Sequence, residues 1–160
     1  MAVIKVGVGE MALSSDGGAQ IVTYALGSCL GLAIHDPVAG VGGLLHLMLP
    51  DSNLDPALAA RRPALFADTG VPRLFKEAYA LGASKARIRV VLAGCSRVMD
   101  AGGHFNIGER NLAAVRRMFW RNNVLIDAQD TGGNVNRTLG LEVGNGRAWV
   151  KINSAAVHDI

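Results

Sequence analysis

Cysteine is scarce in this chain, and its two copies, Cys29 and Cys95, stand far apart. With no C-x-x-C spacing they argue against a disulfide framework and leave two free thiols. Aromatic residues make up only 5%, so Val, Leu, Ile and Ala must build the core. A long hydrophobic run is missing too. The longest, Val41 to Leu49, is broken by two glycines and a histidine and is too short to cross a bilayer. Met1 to Val6 has no basic start leading into a long apolar stretch, so no secretory leader is read and the expected location is cytoplasmic. Charge of one sign is weak as well: the net charge is +3. No basic run is interleaved with aromatics, and no zinc or helix-turn-helix spacing occurs, which argues against nucleic-acid binding. Arg61, Arg62, Arg116, Arg117 and Arg121 form two clusters, read as solvated helix faces that can favour an acidic protein partner.

What is present is a chain of 160 residues, half of it hydrophobic, enough for one domain over residues 1–160. Twenty glycines and five prolines suggest many tight turns rather than a helical bundle. Strands are expected at Ile4 to Val8, Gln20 to Ala25, Leu30 to His35 and Gly42 to Leu47, with a turn from Ser14 to Ala19. Asp36-Pro37-Val38-Ala39-Gly40 is a turn with a mechanism: Pro fixes φ and Gly permits a positive one. It closes a hairpin that carries His46 back toward Cys29. Pro50 to Pro63 has no period and reads as a surface loop. A helix capped by Asp68 or Thr69 runs to about Leu81, with Val71, Leu74, Phe75 and Ala78 on one face and Gly82 as its stop. Arg87 to Leu92 is a buried strand, followed by a Gly-rich loop from Ala93 to Phe105. Asn106 is placed to cap a second helix, with Glu109 in the capping-box position and Leu112, Val115 and Phe119 facing inward. Strands at Val124 to Ala128, Arg137 to Val143 and Gly146 to Ile152 follow, separated by turns at Asp130 to Gly133 and Gly144 to Gly146. The order predicts an α+β fold, a layered β-sheet structure with two main flanking helices.

The chemistry centres on Gly27-Ser28-Cys29, a turn that delivers a thiol to the start of an apolar strand. A nucleophile needs its sulfur presented outward and nearby backbone N–H groups left free. An imidazole at His46 can take the thiol proton, and a third group usually holds such an imidazole in one tautomer. The Thr23 hydroxyl can do so, orienting the ring without a charge. Gly27 and Ser28 would let the chain turn sharply enough for backbone N–H groups to form an oxyanion hole. The implied reaction is acyl transfer through a thioester. Other readings stay open. A cysteine in an apolar stretch is commonly packing, His46 can be a core histidine and Thr23 an ordinary strand residue. His35 is expected to be exposed. Cys95 with His104 is a second pair, expected to be packing. A metal site from Cys29, Cys95, His46 and His104 lacks ligand spacing, so neither metal nor organic cofactor is expected. Gly7-Val8-Gly9 is a weak phosphate-loop hint without its third Gly or following helix.

Four segments carry a resemblance over nearly the whole chain: Leu26-Gly-Ser-Cys29, His46-Leu-Met-Leu-Pro50, Asn106-Ile-Gly-Glu-Arg-Asn111, and Asp130-Thr-Gly-Gly133 with Arg137. In this order and spacing the chain resembles the chemoreceptor glutamine deamidase family, CheD. The resemblance implies hydrolysis of glutamine side-chain amides on chemotaxis receptors to glutamate and ammonia. It puts the nucleophile at Cys29, the base at His46 and the orienting residue at Thr23. It implies a fold like that of toxin deamidase domains, and a CheC-type phosphatase as partner. Size and the lack of an obvious apolar patch suggest a monomer. The segment Ala93 to Met99 departs from the family's usual Gly-Gly-Ala run, and Glu109 with Arg110 is expected to fix the helix or a nearby loop rather than to act in catalysis. A non-catalytic interaction module and a thiol hydrolase acting on receptor esters are the competing readings.

Overall fold

The computed structural model describes residues 2–97 and 106–160. Among the described residues, ten strands form two five-stranded sheets. The first contains β1 (Ala2–Val6), β3 (Ala19–Leu26), β8 (Arg137–Glu142), β9 (Ala148–Ile152) and β10 (Val157–Asp159), in that spatial order. The second runs β2 (Glu10–Ser14), β5 (Val41–Leu47), β4 (Leu30–Asp36), β6 (Arg89–Gly94) and β7 (Ala128–Thr131). Both sheets are mixed: β1 with β3 and β6 with β7 are the parallel pairs. A short helix, α1 (Pro56–Arg61), and two longer ones, α2 (Ala67–Ala80) and α3 (Ile107–Arg121), complete the fold. No helix of the described residues is long and apolar enough to cross a membrane.

The layering follows from strand alternation. Every residue of β4 and β5 is buried, so these strands are covered on both faces and are apolar apart from His35, Asp36 and His46. Leu30, Leu32, Ile34, Leu45 and Leu47 turn to one side, where Val71, Leu74 and Phe75 of α2 and Val115 and Phe119 of α3 meet them. Ala33 and Leu44 turn to the other side, against Ile21, Leu26, Leu139, Leu141 and Val150 of the first sheet. The α+β reading with two main flanking helices holds, both helices lying against the second sheet.

The expected hairpin forms, with Asp36 opposite Val41 and Gly31 opposite His46. Its turn is held by the Asp36 carboxylate, which accepts from the N–H groups of Val38, Ala39 and Ser84 and pairs with Arg87 at 2.9 Å. Gly82, at φ +103, ends α2 as expected.

Other expectations are corrected. His35 is buried, because the first sheet covers that face of β4, and its Nε2 donates to the Val143 carbonyl at 2.8 Å. The first strand stops at Val6, and Gly7 to Gly9 leads into the unexpected β2 rather than into a helix, so no phosphate loop forms. The segment from Pro50 to Pro63 contains α1, capped by the Asp55 side chain accepting from Leu58 N–H at 3.1 Å. Helix α2 starts at Ala67, ahead of both expected caps. Asp68 instead accepts from Ser52, and the Thr69 hydroxyl donates to the Pro63 carbonyl. Asn106 sits in the left-handed region at φ 56 and makes no cap hydrogen bond, so the capping box does not form. Glu109 pairs with Arg97 at 2.7 Å, tying the helix to the end of the preceding segment. The strand expected at Val124 to Ala128 begins only at Ala128, because the Asp127 side chain takes the Val90 N–H that a ladder carbonyl would otherwise accept. Lys85–Arg87 is a single 3-10 turn, so the buried strand begins at Arg89, and β9 begins at Ala148 rather than Gly146. The short β10 had no counterpart in the expected elements. His104, and the greater part of the Gly-rich loop read after Ala93, lie outside the described residues.

Candidate active site

Strands β3 and β5 bring Thr23 and His46 into contact, and Cys29 stands just ahead of β4, the strand paired with β5. His46 lies two residues from Leu44 on β5 and therefore faces the first sheet, since side chains alternate along a strand. Thr23 faces it from β3. A bulge between Thr23 and Leu26, with Ala25 at φ 57, inserts one extra residue opposite β8. Both Thr23 and Leu26 thereby point inward while Tyr24 and Ala25 are exposed. The chain then turns through Gly27, Ser28 and Cys29 into β4. Gly31, paired with His46, makes room for Leu26 and Leu139: a Cβ there would lie 2.9 Å from Leu26 and 3.0 Å from Leu139.

The hydrogen bonds define the imidazole. Thr23 Oγ1 is 2.7 Å from His46 Nδ1 and 2.7 Å from the Val6 carbonyl oxygen. The carbonyl can only accept, so the single hydroxyl proton goes to Val6. Oγ1 then accepts from Nδ1–H, and Nε2 carries the lone pair. Nε2 is buried and has no hydrogen-bond partner among the described residues. His46 and Thr23 are almost wholly buried, whereas Cys29 is half-buried; the thiol is the outer member of the group.

Burial also sets the protonation states. It pushes the Cys29 thiol up to about 11 and holds His46 down at about 4, because a charge on either would be poorly solvated. The resting pair is thiol and neutral imidazole, not a thiolate–imidazolium pair. Sequence reasoning allowed a stabilised thiolate; in the fold, desolvation outweighs any help from the ring. A neutral thiol and a neutral imidazole can act together by general-base catalysis, the proton leaving sulfur as the sulfur attacks.

The backbone of the turn is one-sided. Its carbonyls are all engaged: Gly27 O accepts from Ser96 N at 2.8 Å, Cys29 O from Cys95 N at 2.8 Å and Ser28 O from Asn111 Nδ2 at 3.1 Å. The N–H groups of Gly27, Ser28 and Cys29 donate to no described residue.

Sequence reasoning missed Asn111, although it lies in a segment that carried the resemblance. It is fully buried on α3, and its Nδ2 also donates to the Met48 carbonyl at 3.0 Å. Its neighbour one turn earlier, Gly108, lets the helix approach: a Cβ there would lie 2.5 Å from Ser96 O. Arg137 was singled out without a role. It pairs with Asp130 at 2.9 Å and donates to the Gly94 carbonyl at 3.1 Å. Gly94 in turn sits so close to the nucleophile turn that a Cβ would lie 2.3 Å from Cys29 O. All four segments thus converge on one turn.

Cys95 is buried in the helix-side core, as expected of a packing residue, while Cys29 packs against the core between the sheets. Burial, and then the neighbouring Cys29, push the Cys95 thiol up to about 12. Among the described residues no group of three or more His, Cys, Asp and Glu side chains is placed to hold a metal ion.

A family model described as CheD chemotactic sensory transduction matches residues 48–152. A protein of Syntrophus aciditrophicus named "Probable chemoreceptor glutamine deamidase CheD 1" is 46% identical over 157 residues, covering 98% of each chain. A "Probable chemoreceptor glutamine deamidase CheD" of Solibacter usitatus is 43% identical over 150 residues, covering 94% of this chain and 89% of its own. The first of these alignments takes in Thr23, Cys29 and His46, which precede the family-model match. A crystal structure of a Neisseria meningitidis protein of the DUF152 family model covers 84% of this chain and 63% of its own, with a TM-score of 0.48 and 10% identity. That likeness is too loose to bear on the site.

Proposed function

This chain belongs to the CheD family, and on that footing we propose that it is a chemoreceptor glutamine deamidase whose nucleophile is Cys29. The observation that supports the site is the Thr23–His46 bond, which leaves Nε2 of His46 without a proton and, among the described residues, without a partner, while the N–H groups of Gly27, Ser28 and Cys29 donate to no described residue.

Cys29 Sγ attacks the side-chain amide carbon of a receptor glutamine, and Nε2 takes the thiol proton. Nδ1–H stays on Thr23, so the imidazolium keeps its orientation. The carbonyl oxygen becomes an oxyanion facing the N–H groups of the turn, where each well-placed donor is worth roughly 3 kcal/mol. Collapse breaks the C–N bond, Nε2–H protonates the departing nitrogen, and ammonia leaves a thioester. A water molecule then attacks with His46 again as base. The C–S bond breaks, the thiol regains its proton, and glutamate is released. Every proton is carried by His46, and an ester would pass through the same intermediate.

We extend this to one deamidase domain acting in the cytoplasm as a monomer with a CheC-type phosphatase as partner; sedimentation of the protein alone and with that phosphatase tests the monomer and the partner. The central test is mass spectrometry of a receptor cytoplasmic fragment after incubation with wild type and with Cys29→Ala. A Gln-to-Glu change of about +1 Da per site with wild type alone supports the reading. No change with either, while the fragment still binds, would replace it with a non-catalytic interaction module.

A further inference from the structure

We infer that Asn111 is a positioning residue that sets the oxyanion hole, by holding the Ser28 carbonyl inward so that the Cys29 N–H faces the substrate. The inference rests on the deamidase reading above. A peptide unit is planar, and when trans its C=O and N–H point in opposite directions. The chain has no cis peptide bond among the described residues. The carbonyl of Ser28 and the N–H of Cys29 belong to the same plane. A donor that draws the carbonyl toward α3 therefore turns the N–H away from α3.

The two flanking peptides are held by backbone. Ser96 N and Cys95 N, at the end of β6, take the carbonyls of Gly27 and Cys29. The carbonyl between them has a side-chain donor instead, and Asn111 supplies it across 83 residues of sequence. Only the amide NH2 can face both Ser28 O and Met48 O, because two carbonyls cannot be satisfied by an acceptor. The second bond fixes Asn111 to the segment that follows His46, so one side chain ties the nucleophile's turn to the base's strand. Asn111 Oδ1 is buried with no partner among the described residues. Both of its observed bonds use the NH2 donors, which marks the donors as its contribution. Gly108 completes the arrangement by letting this face of α3 lie against the end of β6.

The experiment compares wild type, Asn111→Asp and Asn111→Leu, both close in size to asparagine, on a receptor cytoplasmic fragment. Three readouts are taken: kcat and KM, the rate at which iodoacetamide alkylates Cys29, and affinity for a peptide whose target glutamine amide is replaced by an aldehyde. Alkylation forms no oxyanion; the hemithioacetal of the aldehyde presents an oxygen at that position. The expected result is a kcat lower by roughly 10²- to 10³-fold, KM and alkylation unchanged, and aldehyde affinity falling in parallel with kcat. Full kcat in either folded variant would overturn the inference, as would kcat and alkylation falling together in both. If neither variant folds, amide exchange of 15N-labelled wild type decides. The Cys29 N–H should exchange rapidly and become protected when the aldehyde binds; protection already present in the free protein would sink the idea. The deamidase reading fails separately, through activity retained by Cys29→Ala or absent from wild type.

Discussion

The hydroxyl of Thr23 and the imidazole of His46 meet at 2.7 Å across the boundary between two sheets. Thr23 comes from β3 of the first sheet and His46 from β5 of the second, so the layer contact itself assembles the base. A change at Thr23 therefore acts on proton transfer, not on access to the thiol.

Thr23→Val keeps the shape of the side chain and removes the acceptor for Nδ1–H. The imidazole is then free to carry its proton on Nε2, the wrong nitrogen for a base. The expected loss in kcat is about 10²-fold, at the low end for a general base because Thr23 carries no charge. Thr23→Ser should retain most of the activity. Steady-state kinetics on a receptor fragment, with circular dichroism to confirm folding, decides; equal kcat for Val and Ser would show that the hydroxyl has no part in orientation.

Stability should depend on pH through His46. Its folded pKa is about 4 against an ordinary 6.5, and the cause is burial. Between those values the unfolded chain binds the proton and the folded one does not. The contribution is thus fully present above pH 6.5 and is lost as pH falls through about 4. Its size is on the order of 3 kcal/mol. Urea unfolding of wild type and His46→Gln at pH 7.5, 6, 5 and 4 isolates it, since the carboxylates titrate in both proteins. Parallel stability curves for the two would contradict the assignment.

Cys29 in the free protein should react with iodoacetamide slowly at neutral pH, more slowly than free cysteine with its pKa of about 8.5. Burial holds the thiol up at about 11, so the rate should climb through pH 9 to 11. A thiolate–imidazolium pair would instead give a high plateau near neutrality. Observing that plateau would show that the resting site is charged.

Gly108→Ala tests the approach of α3. The added methyl would lie 2.5 Å from Ser96 O and 2.6 Å from Cys95 O, so the helix must move away from β6 and carry Asn111 with it. Overpacking of this kind costs about 1–3 kcal/mol. Activity should fall further than stability alone explains. Gly17→Ala is the control, with no atom nearer than 3.8 Å and no positive φ, and should leave both properties near wild type.

Much of this was legible in residue order, and the misses have physical causes. The Gly27-Ser28-Cys29 turn, the hairpin and the faces of α2 and α3 follow from nearby residues. Helix α1 could have been read from Asp55-Pro56, a cap followed by a proline at the first helical position; attention to period alone hid it. Asp68, Thr69 and Asn106 are good capping residues in isolation, yet two of them bond to other segments and the third is turned left-handed where α3 meets the end of β6. His35 was misplaced because alternation tells which residues share a face, not whether a second sheet covers it.

Local chemistry was enough to bring His46 toward Cys29. Asp36-Pro37 and Gly40 close the turn, and the two arms have one register that keeps Leu30, Leu32, Leu45 and Leu47 on the helix side. Layering decided the rest. The Thr23–His46 bond spans 23 residues, and the Asn111–Ser28 bond spans 83. Such contacts depend on which faces are covered when sheets and helices stack. Burial then selects the protonation states, since solvation of a charge depends on everything packed around it and not on the residues beside it in the chain.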